Sequence, residues 1–142
     1  MLPLGLDTLV ALYRDASTVA VVGASSDEQK QANRIPKYLQ SQDFQVIPIN
    51  PTADEILGER VFRSLREVTD QVDVVDVFRP ADEASAIAAD AVAIGASVLW
   101  LQLGIVSEEA SDIATAGGLT VVMDACMGAV HRKLVRRHDL SG

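Results

Sequence analysis

Apolar and polar positions follow two rhythms along this chain, and each rhythm marks a different kind of element. Leu9, Val10, Leu12 and Tyr13 share one stripe at helical spacing, which predicts a helix over 7–15 with Asp7 placed to cap it. Thr18–Val22 is a short apolar run that stops at Gly23, the pattern of a buried parallel strand. Similar runs recur at Gln45–Ile49, Val72–Phe78, Val98–Leu101 and Leu119–Met123. Between them, helical spacing predicts helices over 35–42, 81–94 and 107–116. Pro36 falls in the first turn of the helix over 35–42, where its missing N–H costs least. Gly95 and Gly117-Gly118 stop the other two. Residues 52–71 are less regular, with a short extended piece at Gly58–Phe62 and one or two helical turns at Leu65–Val68.

Five strands alternating with helices predict an α/β fold: a doubly wound, five-stranded parallel sheet in a three-layer α/β/α sandwich. A length of 142 residues is that of a single domain, 1–142, with its core at about 18–134. Composition agrees, since 19 Ala and 18 Val against one Trp suit Ala-rich helices on Val-rich strands. Ligands of such sheets lie beyond the carboxyl ends of the strands. The loops opening at Gly23, Asn50, Phe78, Gln102 and Asp124 therefore carry the function.

Charge narrows the partners. Twelve Lys and Arg against 20 Asp and Glu leave a formal net charge of −8, a surface that repels nucleic acid and anionic membranes. No stretch approaches the ~18 uncharged apolar residues of a membrane span, and the first residues lack the pattern of a secretory leader. The expectation is a soluble, cytoplasmic domain. A protein partner is compatible with the basic run Arg132, Lys133, Arg136 and Arg137, read here as a solvated terminal helix or a docking patch.

The first loop, Gly23 to Arg34, suits phosphate. A glycine directly after a strand lets ligand approach the backbone, and Ala24, Ser25, Ser26, Lys30 and Arg34 follow with hydroxyls and cations. It is not a dinucleotide fingerprint. Ser25 and Glu28 stand where G-x-G-x-x-G needs glycine, and the predicted helix starts about a dozen residues after Gly23. Asn50 stands where NAD-binding folds place an acid against ribose. Its amide suits ribose or adenine, and Asn50-Pro51 equally suits a simple turn. Phe78-Arg79-Pro80 sets a bidentate cation at a strand tip, for phosphate or for pairing with Asp76 or Asp82. Gln102, followed by Gly104, offers both a donor and an acceptor. Trp100 reads as core.

Catalytic patterns are sparse. Cys126 and His131 lie five apart with no orienting third group, and two potential ligands without a third do not make a zinc site. Cys126 reads as a buried, inert thiol.

Taken in order, Val21-Val22-Gly23-Ala24-Ser25, Ile47-Pro48-Ile49-Asn50-Pro51, Gly58, Val74 to Pro80, Trp100 to Ile105 and Asp124-Ala125-Cys126-Met127 with His131 resemble the stand-alone CoA-binding proteins. These are relatives of the CoA-binding N-terminal domain of the succinyl-CoA synthetase α subunit. The resemblance implies a Rossmann-like domain that binds coenzyme A or an acyl-CoA. Gly23-Ala24-Ser25 would then meet the diphosphate or pantetheine, and Asn50-Pro51 would border the adenosine. Phe78-Arg79-Pro80 and Gln102 to Gly104 would line the cleft. Ser26, Lys30 and Arg34 join this set by charge and position. The chain carries neither the ligase domain nor the phosphohistidine loop of the synthetase, so ligation is not implied. The leading expectation is non-catalytic CoA binding, as a sensor or accessory subunit. The alternatives are an NAD(P)-binding oxidoreductase-like protein, a redox role for Cys126 with CoA disulfide, and a pure interaction module.

Overall fold

A computed structural model describes residues 2–140. Helix α1 (Leu6–Asp15) precedes strand β1 (Thr18–Val22), helix α2 (Gln31–Ser41) and strand β2 (Gln45–Ile49). A short hairpin follows, β3 (Glu55–Ile56) and β4 (Glu59–Arg60), and then a 3-10 turn at Leu65–Glu67. Strand β5 (Val74–Val77), helix α3 (Ala84–Ala93), strand β6 (Val98–Leu101), helix α4 (Glu108–Ala116), strand β7 (Thr120–Val122) and helix α5 (Met127–Arg136) complete the chain. The main sheet is wholly parallel in the order β2-β1-β5-β6-β7. This is the doubly wound, Rossmann-like architecture, and the chain changes direction across the sheet between β1 and β5. No helix among the described residues is long and apolar enough to cross a membrane.

The two faces of the sheet are packed differently. On one, α3 and α4 lay Ala84, Ala88, Ala91, Ala110 and Ala114 on Val75, Val77, Leu99 and Leu101, all fully buried. Side chains this small let the helices approach the strands and each other. A Cβ on Gly117 would fall 2.5 Å from Val92 Cγ2. On the other face, α1, α2 and α5 pack large residues over Val19, Val21, Val74 and Trp100. Tyr13 lies edge-on to His131, with ring centroids 5.2 Å apart, and 5.9 Å from Trp100.

Three hydrogen bonds fix this face. Trp100 Nε1 donates to the Ala125 carbonyl at 2.8 Å, and the Tyr13 hydroxyl donates to the Met127 carbonyl at 2.7 Å. His131 Nδ1 lies 2.8 Å from the Tyr38 hydroxyl, tying α5 to α2. Burial holds His131 below the ordinary imidazole pKa. The folded state then binds fewer protons than the unfolded one, so stability falls as pH drops through the unfolded value near ~6.5. His131→Gln should flatten the fall in denaturation midpoint between pH 7 and pH 5.

Several boundaries differ from the sequence pattern for physical reasons. α2 starts at Gln31, not residue 35, so Pro36 lies in its second turn. Gly5, not Asp7, occupies the N-cap of α1. β5 starts two residues late because the Asp73 carboxylate accepts the N–H groups of Ser17 and Thr18, at 2.8 and 3.0 Å. α5 is not a solvated helix, since Met127, Val130, His131 and Leu134 bury one full stripe. In β5, Asp76 is fully buried in register with Val21 and Trp100, and neither carboxyl oxygen has a hydrogen-bond partner. Burial pushes its pKa well above the ordinary carboxyl value.

Candidate functional site

The turn of the fold between β1 and β5 begins at Gly23, whose φ is +90°. A Cβ there would meet Arg79 Cδ at 2.8 Å and the Phe78 carbonyl oxygen at 3.1 Å. Only glycine combines that backbone angle with such close passage of the two strand tips.

The following loop is folded back on α2. Pro36 has no N–H to offer the Ala32 carbonyl, and that oxygen instead accepts the Ser25 N–H at 3.2 Å. Asn33 Nδ2 donates to the Ser25 carbonyl at 2.8 Å, and Ser25 Oγ accepts the Asp27 N–H at 3.0 Å. An interior proline thus holds the loop in place. At the start of α2, Lys30 is the N-cap without a side-chain cap bond, and the N–H groups of Gln31 and Ala32 make no hydrogen bond among the described residues.

A second helix start faces the first. Cys126 is the N-cap of α5, and Gln102 Oε1 accepts the Met127 N–H at 3.0 Å. The Gly128 and Ala129 N–H groups have no partner among the described residues. Gly128 lets the helices close up, since a Cβ there would stand 3.2 Å from Ile35 Cγ2 and 3.3 Å from Tyr38 Cδ2. Between the two helix starts opens a cleft of about 610 Å³. Gln31 and Ile35 line it from α2, Gly128 and Arg132 from α5, and Phe78, Gln102, Leu103 and Ile105 from the strand tips. Helix starts carry partial positive charge and unpaired donors, so the cleft favours an anionic group against apolar walls. The Arg132 guanidinium adds a full charge, 4.4 Å from the Tyr38 ring centre.

A hollow of about 520 Å³ lies at the opposite end, by the amino ends of β5, β6 and β7. Asp7, Asp15 and Asp73 line it, which makes it hostile to phosphate.

Of the residues singled out from the sequence, Phe78 and Gln102 line the cleft, and Gly23 shapes the crossing beneath it. Ala24 is buried, and its carbonyl accepts Asn50 Nδ2 at 2.9 Å. Asn50 Oδ1 accepts the N–H groups of Thr52 and Ala53, both at 2.8 Å, so this amide clamps two loops. Arg79 pairs with Glu83 at 2.7 Å, not with Asp76 or Asp82, and both partners are half exposed. That hydrogen bond also holds the Glu83 carboxyl below its ordinary range. Gly104, at φ +86°, donates its N–H to Asp124 Oδ1 at 2.7 Å and so ties the β6 and β7 loops. Ser26, Lys30, Arg34, Pro51 and Pro80 are exposed and do not line the cleft.

Cys126 is half-buried in the cleft wall, not an inert core thiol. It makes no pair with His131, whose ring packs against Tyr13 and Tyr38. Sequence reasoning missed Gln31, Ile35, Gly128 and Arg132. The spacing Met127, Val130, His131, Leu134 was the signal that would have placed α5 and its start.

Fold and cleft together define a doubly wound, Rossmann-like α/β domain with a cleft at the carboxyl ends of its strands. Residues 17–132 match the model of the CoA binding domain, and the chain belongs to that family. It is 36% identical over 120 residues to the uncharacterized protein YneT of Bacillus subtilis, covering 84% of this chain and 89% of that one. A hypothetical protein from Pyrococcus horikoshii OT3 superposes with a TM-score of 0.90 at 31% identity, over 93% of both chains. The dinucleotide-forming acetyl-coenzyme A synthetase 1 of Ca. Korarchaeum cryptofilum matches 76% of this chain, with a TM-score of 0.68 and 31% identity. The chain covers 26% of that synthetase chain.

Proposed function

We propose that this protein binds coenzyme A, or an acyl-CoA, in the cleft between α2 and α5, and that it acts as a binding protein without a catalytic step of its own. The observation that carries the proposal is the pair of helix starts whose unpaired N–H groups open on one largely apolar cleft at the switch point. The Gln31 and Ala32 N–H groups, with Lys30 beside them and Arg132 across the cleft, suit the diphosphate, and the Gly128 and Ala129 N–H groups beside Cys126 suit the carbonyls of the pantetheine arm. The apolar walls suit the pantetheine arm. Family membership and the likeness to part of an acetyl-coenzyme A synthetase support the same ligand. Asn50 in place of the ribose-binding acid and the absence of the glycine fingerprint speak against NAD(P).

Calorimetric titration with CoA, acetyl-CoA, NAD and NADP tests this. CoA should bind in the micromolar range and more tightly than either nicotinamide nucleotide. Tighter binding of NADP than CoA, or no heat from any of the four, would overturn it. Arg79→Ala should weaken CoA binding about tenfold, the worth of one charge-assisted phosphate contact. Glu83→Gln frees Arg79 from its exposed ion pair and should strengthen CoA binding by roughly twofold to fivefold.

A second reading rests on Cys126 in the cleft wall. Its thiolate would attack one sulfur of CoA disulfide, forming a protein–CoA mixed disulfide and releasing one CoA thiolate. Intact mass after incubation with CoA disulfide decides it: one added CoA supports the reading, and an unmodified chain sinks it.

A further inference from the structure

We infer that the apolar groove running from the cleft along α5 receives the acyl chain of a medium-chain acyl-CoA. This deepens the CoA reading of the cleft and rests on it. The groove has a volume of about 490 Å³ and is lined mainly by apolar groups, Leu2, Pro3, Met123, Ala125 and Val130, with Asp124 and Lys133 as its charged members. It shares Leu103, Cys126 and Ala129 with the cleft, so the two hollows adjoin along these residues. From Cys126 to Lys133 it follows seven residues of helix, about 10 Å at the usual rise.

The ends of the sheet differ in character, and that difference orients the ligand. Lys30, Arg34 and Arg79 stand on the loops of β1 and β5 and on the start of α2. The loop after β6 instead carries Leu103 and Val106, exposed by 71% and 50%, the large apolar side chains most open to solvent among the described residues. From β1 to β7 is three strand spacings, about 14 Å. A phosphate anchored near β1 therefore leaves the thiol end of CoA beside Leu103 and Cys126, at the mouth of the groove. A thioester formed there sends its acyl chain along α5. Exposed Leu103 at the junction becomes covered when such a chain is bound.

The test titrates the full chain with CoA, acetyl-CoA and octanoyl-CoA while following the Met123 methyl resonance. Octanoyl-CoA should bind about tenfold more tightly than CoA, with acetyl-CoA close to CoA, because only the longer chain buries methylenes. Octanoyl-CoA alone should shift the Met123 methyl. Leu2→Asp should remove the gain and leave CoA affinity unchanged. Equal affinity for all three, or a tighter octanoyl-CoA complex that leaves the Met123 methyl unmoved, would overturn the groove and leave the CoA reading standing. No binding by any of them would overturn both.

Discussion

Asp76→Val should stabilise the protein at neutral pH by about 1–3 kcal/mol, the usual cost of a buried polar group without a partner. Asp76 lies in the middle of the central strand, fully buried, between Val21 and Trp100 in register, and neither oxygen is hydrogen-bonded. Valine matches the neighbouring Val74, Val75 and Val77 and suits a strand covered on both faces. The size of the gain should depend on pH. Burial raises the folded-state pKa of Asp76 above its unfolded value near ~3.9. Its contribution to stability is therefore fully present below pH ~3.9 and is lost as pH rises through the folded pKa. The valine variant escapes that loss, so its advantage should be larger at pH 8 than at pH 4. Urea denaturation at the two pH values checks this. A variant less stable than wild type at pH 8 would show that the carboxylate is a net contributor to the fold.

Gly23→Ala should act in the opposite direction, costing about 3 kcal/mol of stability. Two independent obstacles combine there. The backbone angle of +90° is unfavourable for any residue with a Cβ. The added carbon would also stand 3.1 Å from the Phe78 carbonyl oxygen, at the tip of the central strand. The 2.8 Å approach to Arg79 Cδ is easier to relieve, because that side chain is half exposed and can swing aside. Swinging Arg79 aside moves the cation proposed to meet phosphate, so CoA affinity should fall together with stability. A stability within about 0.5 kcal/mol of wild type would contradict the close approach of the β1 and β5 tips.

The layered α/β architecture was legible because parallel strands buried on both faces leave unbroken apolar runs, as at Thr18–Val22 and Val98–Leu101. The start of α2 was not legible. Its first turn, Gln31 to Arg34, is polar, and Pro36 reads as a helix beginning unless something else takes up the Ala32 carbonyl. The Ser25 N–H does so, and no local pattern foretells a bond across a loop. Asn50 and Arg79 were legible as polar residues at strand tips, but not their engagement with Ala24 and Glu83. The cleft wall on α5 was hidden by its basic residues. Arg132, Lys133, Arg136 and Arg137 suggested a solvated helix, while the alternate positions Val130, His131 and Leu134 seat it in the core. Gly128 carries no signal in isolation; its role appears only where Ile35 and Tyr38 pack against it.

Hydrogen exchange with and without saturating CoA reports binding and its location together. Exchange should slow at the unpaired N–H groups of the two helix starts, residues 31–32 and 128–129, while the amino-end hollow around residues 7–16 and 97–98 stays unchanged. CoA that binds but protects only the amino-end hollow, or leaves both helix starts exchanging at their free rates, would contradict the account.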